Sequence, residues 1–323
     1  MPVNNNSIVD VPFWMLNGHW ETIIPGLVRN PKELMSRPER IQTPDQDFLD
    51  LTYVSQGNNR VVVLSHGLEG NADKYYIRGM AHAFMAQGWD VVAWNCRSCS
   101  EEINLMPRLY HHGATEDLDV VVKHTLSKGY QEVLLIGLSL GGSLVVKYLG
   151  ESAGVVPDQV VGGVAFSIPC QLGSCAQKLS EQGNKFYLNR FLKKLKEKIR
   201  RKAVQYPDVF DLEGIENISS FREFDSRYSA PIHGFNDVDD FYTYASAGNY
   251  IEGIQLPVLL VNSLNDPMLP SDCYPYELAE NHKYFYLETP RRGGHLGYWR
   301  PGMKESWAES RATKFVRDVM GIK

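Results

Sequence analysis

The chain has 323 residues, of which 43% are hydrophobic and 22% are charged, and its formal net charge is −5. This length allows one or two globular domains with a large core, and the negative charge gives no electrostatic support for a nucleic-acid partner. No apolar run approaches the roughly 20 residues that span a bilayer, and the N-terminus lacks the pattern of a secretory signal.

The five cysteines are an odd number at irregular spacing, which is typical of a reducing compartment, so we expect a cytoplasmic location. Cys96 and Cys99 have the spacing of a redox pair or of half a zinc site, but no second ligand pair accompanies them. We therefore predict neither a metal nor a cofactor.

The first 30 residues form a segment rich in aromatic side chains, among them Phe13, Trp14 and Trp20. We expect residues 1–30 to pack on the core as an N-terminal extension. A lining for a substrate channel and a membrane contact are the alternatives for these aromatic side chains.

Six short apolar runs are typical of buried β-strands. They are residues 61–65, 91–95, 133–136, 160–168, 258–262 and 284–288. Helical patterns separate the first four runs. This alternation predicts a doubly wound, mostly parallel sheet with helices on both faces.

The third run leads into the most informative stretch of the chain. Gly137, Ser139 and Gly141 form Gly-x-Ser-x-Gly, and helical spacing follows over residues 143–149. This pattern is typical of a nucleophile elbow, because the glycines leave room for a strained turn that holds the serine hydroxyl outward. A serine that merely caps the helix is the alternative.

A serine nucleophile needs a base and a third group that orients the base. Asp266 follows the run at 258–262, and His295 lies in a glycine-flanked loop after the run at 284–288. Alone, Asp266 is more typical of an Asp-Pro turn, and nine histidines make a chance match easy. The order Ser, Asp, His and the position of each residue after a strand together favour a catalytic triad.

Two backbone N–H groups would stabilise the negative charge that develops during attack by such a serine. The N–H of Leu140, directly after the serine, is one candidate. The first apolar run ends in His66-Gly67-Leu68, and the N–H of Leu68 is the second candidate. We expect the His66 side chain to hydrogen-bond the loop backbone and hold the shape of the loop, rather than to act as a base.

The strand and helix alternation stops between residues 168 and 256. We expect a core made of residues 31–170 and 255–323, with an inserted helical cap at 171–254. Within the cap, residues 185–202 carry nine basic residues and a single acid. We favour a helix with a solvated basic face; a weak contact with a membrane surface or an acidic ligand is the alternative. The apolar side chains expected beneath it are Phe186, Leu188, Phe191, Leu192 and Leu195.

Several segments carry a family resemblance. They are Gly18-His-Trp-Glu-Thr-Ile-Ile-Pro25, His66-Gly-Leu-Glu-Gly70, Tyr110-His-His-Gly-Ala-Thr-Glu-Asp-Leu118, Phe224-Asp-Ser-Arg-Tyr-Ser-Ala-Pro-Ile-His-Gly-Phe235 and Asn265-Asp-Pro267. With them the chain resembles the YheT-like branch of the α/β hydrolases, which includes predicted bacterial esterases and eukaryotic lipases and acyltransferases. The resemblance covers most of the chain. It implies the α/β-hydrolase fold and a triad at Ser139, Asp266 and His295.

The chain departs from the family pattern at three places. It has Asn95-Cys-Arg-Ser-Cys-Ser-Glu101 where the family often has Asn-Phe-Arg-Gly-Cys-Ser-Gly. Glu21 replaces a glutamine, and Asn265 replaces the usual acid before Asp266. None of these changes removes a member of the triad.

Together these features predict a serine hydrolase that cleaves carboxylic esters, with short to medium acyl chains or of acylglycerol type, through an acyl-enzyme. An alcohol O-acyltransferase that uses the same acyl-enzyme is the nearest alternative, and a non-catalytic binding protein on this scaffold is another. The aromatic side chains that would build an apolar alcohol site are Trp14, Trp20, Tyr187 and Phe191. The expected partner is a small-molecule ester, and the oligomeric state stays open.

Overall fold

The computed structural model describes residues 3–5, 7–151 and 156–322. Within these residues the strands are β1 (Val3–Asn4), β2 (Arg37–Gln42), β3 (Phe48–Val54), β4 (Arg60–Ser65), β5 (Asp90–Asn95), β6 (Glu132–Leu138), β7 (Val160–Phe166), β8 (Val258–Val261) and β9 (Phe285–Glu288). They form one sheet in the order β1-β9-β8-β7-β6-β4-β5-β3-β2. The predicted mostly parallel sheet is confirmed, since among the described strands only the pairs β2–β3 and β3–β5 are antiparallel.

The apolar runs correspond to the buried centre of the sheet, from β4 to β9. The strand boundaries differ from the predicted ones by up to two residues; for example, the strand predicted to reach residue 168 ends at Phe166. Ser167 adopts a φ of +54°, in the left-handed region, which interrupts extended backbone. Strands β1, β2 and β3 were not predicted. The residues of the edge strand β2 are largely exposed and polar, so they lack an apolar pattern.

The α-helices found in the described residues are α1 (Gly18–Val28), α2 (Tyr75–Met85), α3 (Thr115–Ser127), α4 (Leu140–Glu151), α5 (Leu172–Ser180), α6 (Lys185–Gln205), α7 (Phe221–Phe224), α8 (Ala230–Ile232), α9 (Val238–Ala245), α10 (Tyr276–Asn281) and α11 (Trp307–Asp318). Side chains alternate between the two sheet faces, as the twofold period of a strand requires. In β4, Val61 and Val63 pack with α3 and α4, whereas Val62 and Leu64 pack with α2 and α11. The sheet is therefore covered on both faces.

The parallel register brings the carboxyl ends of the central strands to one edge. Ser65 at the end of β4 lies opposite Gly137 of β6. Val261 at the end of β8 lies between Phe166 of β7 and Glu288 of β9. The loops that follow these strands consequently meet in one place.

Helices α5 to α9 all lie between β7 and β8, and they bury a cluster of their own against the loops at this edge. In α6, Leu188, Leu192 and Leu195 are buried in that cluster, but Phe186 is 61% exposed and does not pack beneath the helix as expected. The expectation of a solvated basic face is also wrong for two residues. Lys198 donates to Glu69 at 2.6 Å, and buried Lys202 donates to the backbone carbonyls of Asn104 and Met106.

The loop that departs from the family pattern is held by a buried arginine. Arg97 is 2% exposed and pairs with Asp45, Asp47 and Asp117 at 2.8 to 2.9 Å. Ser98, which stands where the family often has glycine, adopts a φ of +60°. The chain therefore keeps a left-handed residue at this point without the glycine that usually permits it.

No helix in the described part of the chain is both long and apolar enough to cross a membrane. All five cysteines are free and buried. Burial raises the pKa of the Cys96 and Cys99 thiols, which disfavours the thiolate form that metal binding and redox exchange require.

Candidate active site

Ser139 lies on the turn between β6 and α4 and adopts a φ of +55°, a strained conformation for a residue with a side chain. The flanking glycines have no room for a side chain. A Cβ on Gly137 would lie 2.1 Å from the carbonyl oxygen of Gly141, and one on Gly141 would lie 2.2 Å from the carbonyl oxygen of Ser65. Close packing of strand, turn and helix thus requires both glycines.

The structure joins the three residues of the expected triad by hydrogen bonds. His295 Nε2 lies 3.0 Å from Ser139 Oγ, and His295 Nδ1 lies 2.8 Å from Asp266 Oδ2. The other oxygen of the buried Asp266 carboxylate accepts from the N–H of Met268 at 2.9 Å. With Nδ1–H donating to the carboxylate, Nε2 is left as the proton acceptor that faces the serine.

The loop after β4 packs directly against this serine. A Cβ on Gly67 would come within 3.1 Å of the Ser139 Cβ, so the loop approaches the serine as closely as a glycine permits. Among the described residues, no hydrogen-bond acceptor is found for the N–H of Leu68 or of Leu140. Both amides are therefore available to an anionic oxygen bound beside Ser139.

His66 is fully buried and bridges two loops. A backbone N–H only donates, so Nε2 accepts from the N–H of Cys96 at 3.1 Å. Nδ1 must then carry the proton and donate to the carbonyl of Gly67 at 2.7 Å. The ring is thus neutral, and burial lowers its pKa to about 4.

This arrangement predicts a loss of stability in acid. The unfolded chain binds the His66 proton near pH 6.5, but the folded chain binds it only near pH 4, so stability is lost as pH falls between these values. The full pKa difference corresponds to about 3 kcal/mol. Urea unfolding at pH 7.5 and pH 4.5 should therefore show a larger loss for the wild type than for His66→Gln. Equal losses in the two proteins would contradict this role, because the remaining histidines titrate in both.

Helix α1 holds the loops that carry Asp266 and His295. Buried Glu21 accepts from the N–H of Gly293 at 2.6 Å, from Arg292 Nε at 2.8 Å and from Asn265 Nδ2 at 2.9 Å. The hydroxyl of Thr22 accepts from the N–H of His295 at 2.8 Å.

The start of the helix lies close to the same loops. A Cβ on Gly18 would lie 1.7 Å from the carbonyl oxygen of Asn265, so only a glycine allows this contact. No pattern within residues 18–25 themselves predicts such a role for this segment. The resemblance of residues 18–25 to the family was the feature of the sequence that could have indicated a role near the site.

Two of the departures from the family pattern are in contact. The family has a glutamine at position 21 and an acid at position 265, whereas this chain has Glu21 and Asn265, whose side chains hydrogen-bond to each other. Asn265 Oδ1 also accepts from the N–H of Gly294 at 3.0 Å. Acid and amide have exchanged places relative to the family pattern, and in this chain a hydrogen bond joins the two side chains.

This exchange predicts a compensating double variant. Glu21→Gln alone places an amide nitrogen against a donor in either orientation, namely against Arg292 Nε or against Asn265 Nδ2 and the N–H of Gly293. Asn265→Asp alone places two carboxylates in contact. Each variant should therefore lower kcat by about 10- to 100-fold through displacement of the His295 loop. The double variant should recover most of that loss in steady-state kinetics, with a coupling of about 1 to 3 kcal/mol. The exposed Glu33→Gln serves as the control. Additive losses in the double variant would contradict the pairing.

Two spaces meet at Ser139 and His295. The inner pocket lies beneath the helices between β7 and β8, and its walls are mostly apolar, for example Leu172, Phe221 and Phe241. Its polar members include Asp225, which accepts from the Ser229 and Tyr242 hydroxyls and whose pKa burial raises to about 6.

The outer groove lies between α1, the start of α2 and α6, and it is lined by Lys74, Tyr187, Arg190 and Lys194 among others. Of the four aromatic residues expected to form an alcohol site, Tyr187 lines this groove and Phe191 lines both spaces. Trp14 and Trp20 line neither and are 45% and 50% exposed. For these two tryptophans the expectation is not met.

Within the described residues, no group of three or more histidine, cysteine or acidic side chains is arranged to hold a metal ion. The thiol of Cys99 instead accepts from Lys198 Nζ at 3.2 Å.

Comparison with known proteins shows the family of the chain. The Escherichia coli (strain K12) protein named "Putative esterase YheT" is 30% identical over 317 residues, which cover 95% of this chain and 92% of that protein. The chain belongs to the YheT-like branch of the α/β hydrolases. Human "Phospholipase ABHD3" is 28% identical over 88% of this chain and 72% of its own length. The names of these relatives are of the esterase and lipase type.

Residues 56–212 also match the family model described as "Serine aminopeptidase, S33". Among solved structures, the α/β hydrolase GrgF from Penicillium sp. sh18 has a TM-score of 0.61 at 15% identity, over 90% of this chain and all of that one. The Pyrococcus furiosus esterase Pf2001 has a TM-score of 0.58 at 16% identity, over 91% of this chain and 98% of that one. At such identities the likeness shows the fold of the YheT-like chain.

Proposed function

We propose that the protein is a serine hydrolase that cleaves carboxylic esters through an acyl-enzyme. The observation that carries this proposal is the hydrogen-bonded series Ser139, His295, Asp266, with Ser139 on a strained turn at the meeting point of two spaces. A serine hydroxyl is a weak nucleophile at neutral pH, and an imidazole at 3.0 Å is within reach of its proton.

In the first half of the reaction, Ser139 Oγ attacks the ester carbonyl while its proton passes to His295 Nε2. The carbonyl oxygen becomes an oxyanion, and the N–H groups of Leu68 and Leu140 donate to it. The bond between the acyl carbon and the alcohol oxygen then breaks, and His295 returns its proton to the leaving alcohol. Asp266 orients the imidazole and stabilises its cation.

In the second half, water takes the place of the alcohol. His295 removes a proton from the water, which attacks the acyl carbon, and the acid leaves as Ser139 regains its proton. Every proton moves through His295. Neither a metal nor an organic cofactor is needed by this mechanism.

We further propose that residues 171–254 act as a cap that shapes the inner pocket around the acyl chain. The pocket lies beneath these helices, and its mostly apolar lining fits a hydrocarbon chain. The names of the relatives, which include a phospholipase and a monoacylglycerol lipase, support ester substrates with acyl chains.

A panel of p-nitrophenyl esters with acyl chains of two to twelve carbons tests the proposal, with alanine p-nitroanilide as the test for peptidase activity. We expect turnover of the esters and little turnover of the anilide. Activity confined to the anilide would contradict an ester hydrolase. Product analysis with labelled ester and low-millimolar monoacylglycerol separates water from alcohol as acceptor. Mostly transesterified product would assign the acyl-enzyme to an acyltransferase.

A further inference from the structure

The outer groove carries three cationic side chains close to the proposed nucleophile. Lys74 directly precedes α2, and Arg190 and Lys194 lie four residues apart on α6, so they share one face of that helix. Ser139 and His295 line the same groove. The cations therefore surround the space through which one part of an ester must extend.

Within the described residues, none of these three cations forms an ion pair with a carboxylate, although the negative charge of Asp73 acts on Lys74. Glu69 is the one acidic residue found among the described residues that line the groove. Its side chain is 6% exposed, and its carboxylate accepts hydrogen bonds from Lys198 Nζ at 2.6 Å and from the Tyr110 hydroxyl at 2.7 Å. In the described part of the chain, no ion pair with a carboxylate is found for Lys74, Arg190 or Lys194.

The three cations also act on one another. Burial, followed by the charges of Lys194 and Arg190, lowers the pKa of Lys74. Like charges gathered in a concave and partly buried space repel, and an anion bound among them would relieve that repulsion. The inner pocket has the opposite character, since its lining is mostly apolar. The two spaces at Ser139 thus differ in the kind of group they accept.

We propose that the outer groove binds the alcohol portion of the substrate and that this portion carries a phosphate or a carboxylate. The proposal rests on the function proposed above, because it assigns the groove to the leaving group of an ester attacked by Ser139. The guanidinium of Arg190 offers paired N–H donors that match two oxygens of such an anion, and the two lysines add point charges.

The acyl chain occupies the inner pocket, and the ester bond is the only one that breaks. His295 returns its proton to the leaving oxygen, so the phosphate or carboxylate leaves intact with the alcohol.

Two esters with the same acyl group test this assignment, namely monobutyrylglycerol and its 3-phosphate. We expect kcat/KM for the phosphate ester to exceed that for the neutral ester by at least about tenfold at low salt, and the ratio to fall as salt screens the charges. The butyryl ester of 3-hydroxybutyrate tests whether a carboxylate is enough to give the same preference in kcat/KM. Absence of activity on all three esters would overturn the proposed function, whereas activity without preference for either anionic ester would overturn this inference alone.

The double variant Lys74→Gln/Arg190→Gln should bring the ratio for the two glycerol esters close to one. Lys193→Gln is the matched control, since Lys193 is exposed on α6 and does not line the groove. An equal loss on both esters in the double variant would show that the cations support the fold rather than the anion, and would overturn the inference.

A further test uses the wild-type protein, so its outcome does not depend on whether a variant folds. Glycerol 3-phosphate should inhibit hydrolysis of a neutral p-nitrophenyl ester competitively at low salt, whereas glycerol should not. Lack of inhibition would contradict an anion site. Cosedimentation with phosphatidylserine vesicles, without inhibition by glycerol 3-phosphate, would assign the cations to a membrane surface instead.

Discussion

Ser139→Ala should lower kcat for p-nitrophenyl butyrate by about 10⁴- to 10⁶-fold, because the acyl-enzyme cannot form without the hydroxyl. The free energy of unfolding should change by less than about 1 kcal/mol, since the removed oxygen makes no core contact. Steady-state kinetics and urea unfolding of the purified variant provide both values.

Ser143→Ala is the matched control for this variant. Ser143 is buried on the same helix, and its hydroxyl has no hydrogen-bond partner among the described residues. The control should retain activity within a few-fold of the wild type. If Ser139→Ala kept more than a small fraction of the wild-type kcat, Ser139 would have no place in the mechanism.

Asp266→Asn should lower kcat by about 10³- to 10⁴-fold without unfolding the protein. An amide nitrogen at this position would donate to His295 Nδ1 and so favour the tautomer with the proton on Nε2. In that tautomer Nε2 no longer accepts the proton of Ser139, although the base itself is present. The expected loss is therefore severe but smaller than for Ser139→Ala.

The exposed Asp272→Asn, a few residues further along the same loop, serves as the control and should stay close to wild-type activity. Unchanged activity in Asp266→Asn would mean that another group orients His295. Because Oδ1 of Asp266 also accepts from the N–H of Met268, the unfolding free energy of both variants should be measured.

The buried centre of the fold could be predicted from the sequence because its signal is local. A strand buried on both faces must be apolar throughout, so β4 to β8 appear as short apolar runs. The turn at Ser139 could be recognised because its Gly-x-Ser-x-Gly pattern is local. Gly137 is required by a backbone contact within the turn, whereas Gly141 is required by the neighbouring strand at Ser65. The order of Asp266 and His295 in the chain and their positions after strands then limited the candidates for the catalytic base and for the residue that orients it.

The hydrogen bonds that hold the loops of the site in place could not be predicted, because they join distant parts of the chain. Glu21 contacts residues 265, 292 and 293, and no local pattern relates a carboxylate on a helix to loops more than 240 residues away. Positions 21 and 265 both depart from the family pattern, but the two departures were not linked before the structure showed their contact. The contact in the structure supplies the physical reason for the link.

Lys198 and Lys202 were misjudged for a related reason. In a helix rich in lysine, composition predicts a solvated face, because burying a cation is costly unless it is paired. The partners that permit burial, Glu69 and the carbonyls of Asn104 and Met106, come from loops of the core. A single sequence does not show that these loops reach the helix.

Covalent chemistry at Ser139 is the central step of the proposed mechanism. Incubation with a fluorophosphonate, followed by peptide mapping with mass spectrometry, should show one equivalent of adduct on the peptide that contains Ser139. Prior addition of excess p-nitrophenyl butyrate should slow the labelling. Ester hydrolysis by a protein that remains unlabelled at Ser139, or that is labelled at another residue, would contradict the proposed mechanism.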